Sequence, residues 1–182
     1  MEHTNTLIAQ LPDAAKDVRL GLQSVLTPEG SQGLDNTQIW GTALAVAITL
    51  RHPALLQAIK ADAAEHLDES GILAAETAAA IMGMTNIYYH TTYHLMKDDT
   101  YRTMPAKIRM NASKTHGHDA TNYELYALGA SVIGQCGNCI NAHDKIVKDH
   151  GISREGVQSI VRIASVLNAA AIMLSTAGLL RD

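Results

Sequence analysis

The stretch LDNTQIWGTALAVAITLRHPALLQAIK, residues 34–60, decides the fold class. Asp35 or Asn36 can cap a helix through a side-chain oxygen, and Trp40, Leu44 and Ala47 follow at helical spacing. Pro53 interrupts the run, because proline has no backbone N–H to give. Downstream, residues 61–69 and 73–93 continue the helical pattern, with Ser70-Gly71 as the break between them. The second segment carries Ala79, Ala80, Met82, Gly83 and Asn86, mostly small residues that suit close helix–helix contact. Residues 97–121 are polar, hold Pro105 and Gly117, and read as a linker. Helix resumes from Tyr123 and again from Ser153, where Ser153 and Glu155 open the last segment. Sustained period-two alternation and hairpin signals are missing, so the expected fold is all-α, a single domain over residues 1–182.

Composition agrees. Phe is absent and aromatics are 4%, while 47% of the chain is apolar, which favours helices packed through Ala and Met. A net charge of −4 gives no reason to expect nucleic acid or an anionic membrane as partner. The start, Met-Glu-His-Thr-Asn, lacks the basic and apolar regions of a secretion signal. The apolar run from Val166 to Leu180 is interrupted by Asn168, Ser175 and Thr176. A soluble cytoplasmic protein is therefore expected. In that reducing compartment, two cysteines three apart point to catalysis or metal binding rather than a structural staple.

The two halves look related, roughly residues 34–96 and 120–182. An offset of 86 places Gln38-Ile39-Trp40 on Glu124-Leu125-Tyr126, and an offset of 82 places Asn86 on Asn168. On the first offset Leu50 and Pro53 stand where the other half has Cys136 and Cys139, so the chemistry belongs to one half only.

That chemistry is concentrated in Gly134-Gln135-Cys136-Gly137-Asn138-Cys139-Ile140-Asn141-Ala142-His143. On a helix Cys136, Cys139 and His143 share a face. A dithiol at this spacing can close a small disulfide. Gly134 and Gly137 place Cys136 at the helix start, where free amides and the macrodipole favour a thiolate. His143, one turn past Cys139, can take or return its proton. Zinc is the serious alternative, with Cys136, Cys139, His143 and His150 as ligands, although sites strung along one helical face rarely enclose an ion. Covalent haem is excluded because position 140 is Ile, and a thioredoxin fold lacks its βαβ pattern. Glu124 is a candidate buried acid. Twelve residues of continuous helix would hold it roughly 18 Å from Cys136, so its role requires a break near Gly129 or Gly134. His90 with His94, and His116 with His118, receive no role. Met82, Met84 and Met96 read as core packing.

In these blocks the sequence resembles the alkyl hydroperoxide reductase AhpD proteins, within the carboxymuconolactone decarboxylase-like superfamily. The resemblance covers nearly the whole chain. It runs through Leu11-Pro12 with Ala15-Lys16-Asp17, then QIWGT (38–42), then AAIMGMTN (79–86). Its most specific part is Glu124-Leu125 followed by Cys136, Cys139, Ala142 and His143. It implies an all-helical homotrimer in peroxide defence, with no bound cofactor and a redox-active Cys136–Cys139 disulfide. Electrons would pass from a lipoyl group on a dihydrolipoamide acyltransferase subunit, charged by dihydrolipoamide dehydrogenase, to the peroxiredoxin AhpC, with weak direct hydroperoxide reduction besides. It further implies that Cys139 is oxidised to a sulfenic acid. Cys136 would donate a proton, close the disulfide and form the mixed disulfide with the peroxiredoxin, while Glu124 and His143 serve a proton relay. Asn138 stands where the family pattern has a relay His, so the relay must run through His143, Glu124 and water. Helix electrostatics favour Cys136 as the more acidic thiol, whereas the family gives the peroxide to Cys139. Two rival readings are a zinc-stabilised helical module on Cys136, Cys139 and His143, and a decarboxylase-type enzyme that leaves the cysteines idle.

Overall fold

The computed structural model describes residues 1–176. Among the described residues there are nine α-helices and no strand, in agreement with the all-α expectation. They are α1 (Glu2–Ile8), α2 (Lys16–Val25), α3 (Asn36–Leu50), α4 (Pro53–Ala63), α5 (Glu69–His90), α6 (Thr100–Thr103), α7 (Ala120–Gly134), α8 (Gly137–Asp149) and α9 (Arg154–Thr176). The end of the expected domain, Leu180 included, lies outside the described residues.

Local chemistry sets the helix boundaries. Asp35 caps α3 in a reciprocal box: its carboxylate accepts from the Gln38 amide, and the Gln38 side chain accepts from the Asp35 amide. Pro53 takes the first position of α4, where its missing N–H is harmless. Asp68 caps α5 by accepting the Gly71 amide at 2.7 Å. Ser70-Gly71 is thus the first turn of a helix, and the break falls before it, at residues 64–68. Asp119 caps α7 in the same way, so that helix begins before Tyr123. The expected linker holds α6 and a 3-10 turn, Asn111–Lys114, and α5 ends in a π-turn, Thr91–Leu95.

Helices α3 and α7 pair at the centre, and α5 and α9 each pack against both. Residues 39–47 of α3 and 125–131 of α7 are buried without interruption, the mark of helices enclosed on every side. Their approach relies on glycine. A Cβ on Gly129 would lie 2.8 Å from Thr42, and one on Gly41 would fall inside the Tyr126 ring. Asn86 ties α5 to α7, accepting from the Ser131 hydroxyl at 3.1 Å and donating to the Ala130 carbonyl at 3.4 Å. By length and composition α9 is long and apolar enough to cross a membrane, although Asn168, Ser175 and Thr176 interrupt its apolar run. Here it packs on α2, α3 and α7 and buries Ile160, Ile163 and Leu167, as a core helix does.

The caps recur along the chain at an offset of 84 rather than 86. Asp35 and Asp119 cap helices of 15 residues each. Arg51 and Gln135 end those helices in the left-handed region, with φ of 58° and 51°. His52 and Cys136 then cap α4 and α8. At this offset His52 and Leu55, not Leu50 and Pro53, correspond to Cys136 and Cys139.

Asp62, buried near the end of α4, accepts the His3 and Thr4 amides at 3.0 and 2.8 Å and so holds the start of α1. Burial opposes its ionisation, but hydrogen bonds from Thr4 and His3 outweigh it and hold the carboxyl below the usual range. Its contribution is present at neutral pH and is lost as pH falls through that lowered value. Asp62→Asn should therefore lower stability at pH 7 by about 1–3 kcal/mol. The gap from wild type should close as pH falls below the ordinary aspartate range, measured by thermal melts across pH. Gln135→Gly should preserve or raise stability, whereas Gln135→Val should cost about 1–2 kcal/mol in urea unfolding, because a branched side chain resists φ near 51°.

Candidate functional site

The site is built where α7 turns into α8. Two residues, Gln135 and Cys136, join the helices. The left-handed Gln135 supplies the break that contact with Glu124 requires, and α8 then packs back against α7. Cys136 is the N-cap of α8, and its sulfur accepts the Cys139 amide at 3.3 Å. Cys136 and Cys139 are joined as a disulfide, with Cα atoms 5.3 Å apart. Cys136 is fully buried, whereas Cys139 retains 7% exposure and forms part of a cavity wall.

That cavity, of about 420 Å³, lies between α5 and α8. Met82, Thr85 and Tyr89 line it from α5, Tyr93 from the π-turn and Met110 from the segment before α7. Asn138, Cys139, Ala142 and His143 complete it from α8. The lining is largely apolar, with the disulfide and one imidazole as its reactive groups, so it suits a ligand with an apolar stem and a small reactive end.

His143 connects the cavity to α7. Its Nδ1 stands 2.6 Å from Glu124 Oε2, with the two side chains only 13% and 22% exposed. Its Nε2 stands 3.2 Å from the sulfur of Met82. Glu124 therefore meets His143 rather than the cysteines. Beside it, the Tyr123 phenol is pushed up to about 12, chiefly by burial and then by the Glu124 carboxylate, and stays neutral. His116 stacks on Tyr123 with ring centres 4.5 Å apart, and burial followed by the neighbouring His118 pushes it down, favouring the uncharged ring.

The four sequence candidates thus fall in one place, Cys136 and Cys139 as the disulfide and Glu124 and His143 as a pair. Sequence reasoning missed the walls, Tyr89, Tyr93 and Met110, which come from distant segments with no shared pattern. Met82 is buried, as core packing predicts, but it also faces His143. Met84 departs from that expectation, being 38% exposed. Of the histidines given no role, the buried Nδ1 of His90 has no hydrogen-bond partner among the described residues, while the others have local contacts. His118 lies 3.1 Å from Ser70 Oγ and 3.3 Å from Tyr126 Oη, and His94 lies over Gly137. His150, a possible zinc ligand, has Nδ1 2.8 Å from the Ile146 carbonyl. Among the described residues no three or more His, Cys, Asp or Glu side chains gather as a metal would require.

The comparisons with known proteins agree with this geometry. Residues 101–182 match the carboxymuconolactone decarboxylase family. The chain is 45% identical over 168 residues to the alkyl hydroperoxide reductase AhpD of Rhodospirillum centenum, covering 92% of this chain and 88% of that protein. It is 46% identical over 162 residues to the protein of that name from Coxiella burnetii, covering 89% and 91%. With the Streptomyces griseus protein it shares 38% over 176 residues, 97% of each. Likeness of this extent, over a helical scaffold that carries a paired CxxC, places the chain in the alkyl hydroperoxide reductase AhpD family.

Proposed function

We propose that this protein is a lipoyl-dependent thiol–disulfide reductase of peroxide defence, with Cys136 and Cys139 as its redox couple and His143 and Glu124 as its proton relay. The observation that carries the reading is a disulfide with one sulfur buried at a helix N-cap and the other on the wall of an apolar cavity, beside the Glu124–His143 pair.

The asymmetry supports the following steps. A thiolate of dihydrolipoamide enters the cavity and attacks the reachable sulfur, Cys139. The Cys136–Cys139 bond breaks, and Cys136 leaves as a thiolate where the α8 amides and dipole stabilise it. The second donor thiolate attacks the mixed disulfide and releases Cys139, while the donor departs as its cyclic disulfide. Two electrons and two protons have then moved from donor to protein. The dithiol passes them to the disulfide of a peroxiredoxin of the AhpC type. Alternatively, at lower rate, Cys139 attacks a hydroperoxide, giving an alcohol and a sulfenic acid that Cys136 resolves with loss of water. In the closed disulfide Cys139 is the sulfur at the cavity wall and Cys136 is fully buried, so the mixed disulfide with the peroxiredoxin, which the family resemblance gives to Cys136, belongs to the opened dithiol. Asn138 lines the cavity but cannot carry a proton, which leaves that task to His143. The reading includes a homotrimer working in the cytoplasm with a lipoylated acyltransferase subunit and dihydrolipoamide dehydrogenase.

A coupled assay tests it, with NADH oxidation followed in the presence of dihydrolipoamide dehydrogenase, lipoamide, the protein and cumene hydroperoxide. Turnover should be lost in Cys136→Ser and in Cys139→Ser and should rise when an AhpC-type peroxiredoxin is added. Turnover retained in both variants would refute the dithiol mechanism. Glu124→Gln should keep the disulfide but lower turnover roughly 10²-fold, the usual scale of a lost proton-transfer partner.

A further inference from the structure

Met82 approaches from α5, 61 residues from His143 in sequence, and is only 5% exposed. Its sulfur lies 3.2 Å from His143 Nε2, and the Thr85 hydroxyl stands 3.7 Å from the same sulfur. A thioether offers lone pairs and no proton. An unprotonated Nε2 likewise offers only a lone pair, and two lone pairs at this distance repel. The contact is therefore favourable when Nε2 carries hydrogen. On the other side of the ring, Nδ1 and Glu124 Oε2 at 2.6 Å also require one proton between them. A hydrogen on Nε2 and one shared between Nδ1 and Glu124 Oε2 would satisfy both contacts of the ring.

Resting on the dithiol reading above, we propose that Met82 is a positioning residue whose thioether keeps the Nε2 proton of His143 in place for the Cys139 thiolate, which is released when the second donor thiolate resolves the mixed disulfide. The step balances. A donor dithiol gives two electrons and two protons and becomes a disulfide. The Cys136–Cys139 bond takes both electrons, Cys139 takes the proton held on His143, and a donor thiol proton refills the imidazole while the other ends on Cys136.

Other groups face His143 from each neighbouring element. Glu124 and Tyr123 lie on α7, and His116 lies close enough before it to feel the Glu124 charge. Tyr89 and Tyr93 stand across the cavity. On α8, Cys139 lies one turn back, and Asp144 is paired with Lys148 at 2.6 Å. Met82 is the only one of these contacts placed on Nε2, so its removal should act on that proton specifically.

The test follows disulfide reduction by dithiothreitol from pH 6 to 9, with rates referred to the thiolate concentration. Dithiothreitol reduces any accessible disulfide, so the outcome does not depend on whether a lipoyl group is the natural donor. Failure of the Proposed function would instead show as a normal profile here with no turnover on dihydrolipoamide. Met82→Leu, which keeps volume and loses the acceptor, should lose rate at lower pH than wild type, the alkaline limb moving down by about half a pH unit. On that limb its rate should be about threefold below wild type. Met82→Gln, which restores an acceptor oxygen, should return the limb towards wild type. A uniform loss at every pH, or no change, would overturn the proposal. Should Met82→Leu fail to fold, imidazole nitrogen NMR of the wild-type disulfide form decides: His143 Nε2 protonated at neutral pH supports the proposal, and Nε2 unprotonated overturns it.

Discussion

The two-residue turn at Gln135 and Cys136 is the constraint on which the site depends. A continuous helix would carry His143 far from Glu124, whereas the left-handed residue reverses the chain and lets α8 pack on α7. The same turn makes Cys136 an N-cap, which buries its sulfur and points helix amides at it. Cys139 follows one turn later, at the cavity wall. A single backbone feature therefore separates the two cysteines into a fully buried sulfur and one at the cavity wall, and brings the carboxylate to the imidazole.

Rigidity around this turn comes from α3 and α7, buried on all sides and in contact through Gly41 and Gly129. A helix held that tightly fixes Glu124 to within small displacements, because interiors are packed nearly as closely as crystals. The opposite wall is built differently. Tyr93 lies in a π-turn, and Met110 lies in a segment of short turns between α6 and α7. Glu124 thus sits on the rigid side, while the facing cavity wall joins three residues of α5 to two carried by irregular chain. Such a division keeps the chemistry fixed while the approach can differ with the ligand.

Much of this was legible in the sequence, for physical reasons that can be named. Asp35, with Gln38 behind it, announces a helix start through local hydrogen bonding, and the CxxC with His143 shows its face through helical spacing alone. Signals that depend on context failed. Ser70-Gly71 reads as a breaker, yet the Asp68 cap places it in the first helical turn, where glycine is tolerated. Residues 97–121 look like a linker because cavity walls need no periodic pattern. The Glu124–His143 contact required knowing that Gln135 is left-handed, and a glutamine does not advertise that conformation. Met82 reads only as core packing, because its partner lies 61 residues away and an apolar side chain on a core helix gives no sign of what its sulfur faces.

The corresponding place in the other half separates packing from chemistry. We read α3–α5 and α7–α9 as one helical unit used twice, on the strength of their matching caps, order and lengths. At the 84-residue offset Trp40, Leu55 and Ile59 occupy the positions of Glu124, Cys139 and His143, and all three are buried. One residue further in register, where Asp68 corresponds to Ser153, Leu167 occupies the position of Met82 and is also buried. The unit can therefore close with no ionisable group at these positions. Burying a carboxylate and an imidazole instead carries a desolvation penalty, which their short contact offsets only in part. The other half packs without a carboxylate or an imidazole at these positions, which supports the reading of Glu124 and His143 as functional rather than structural groups.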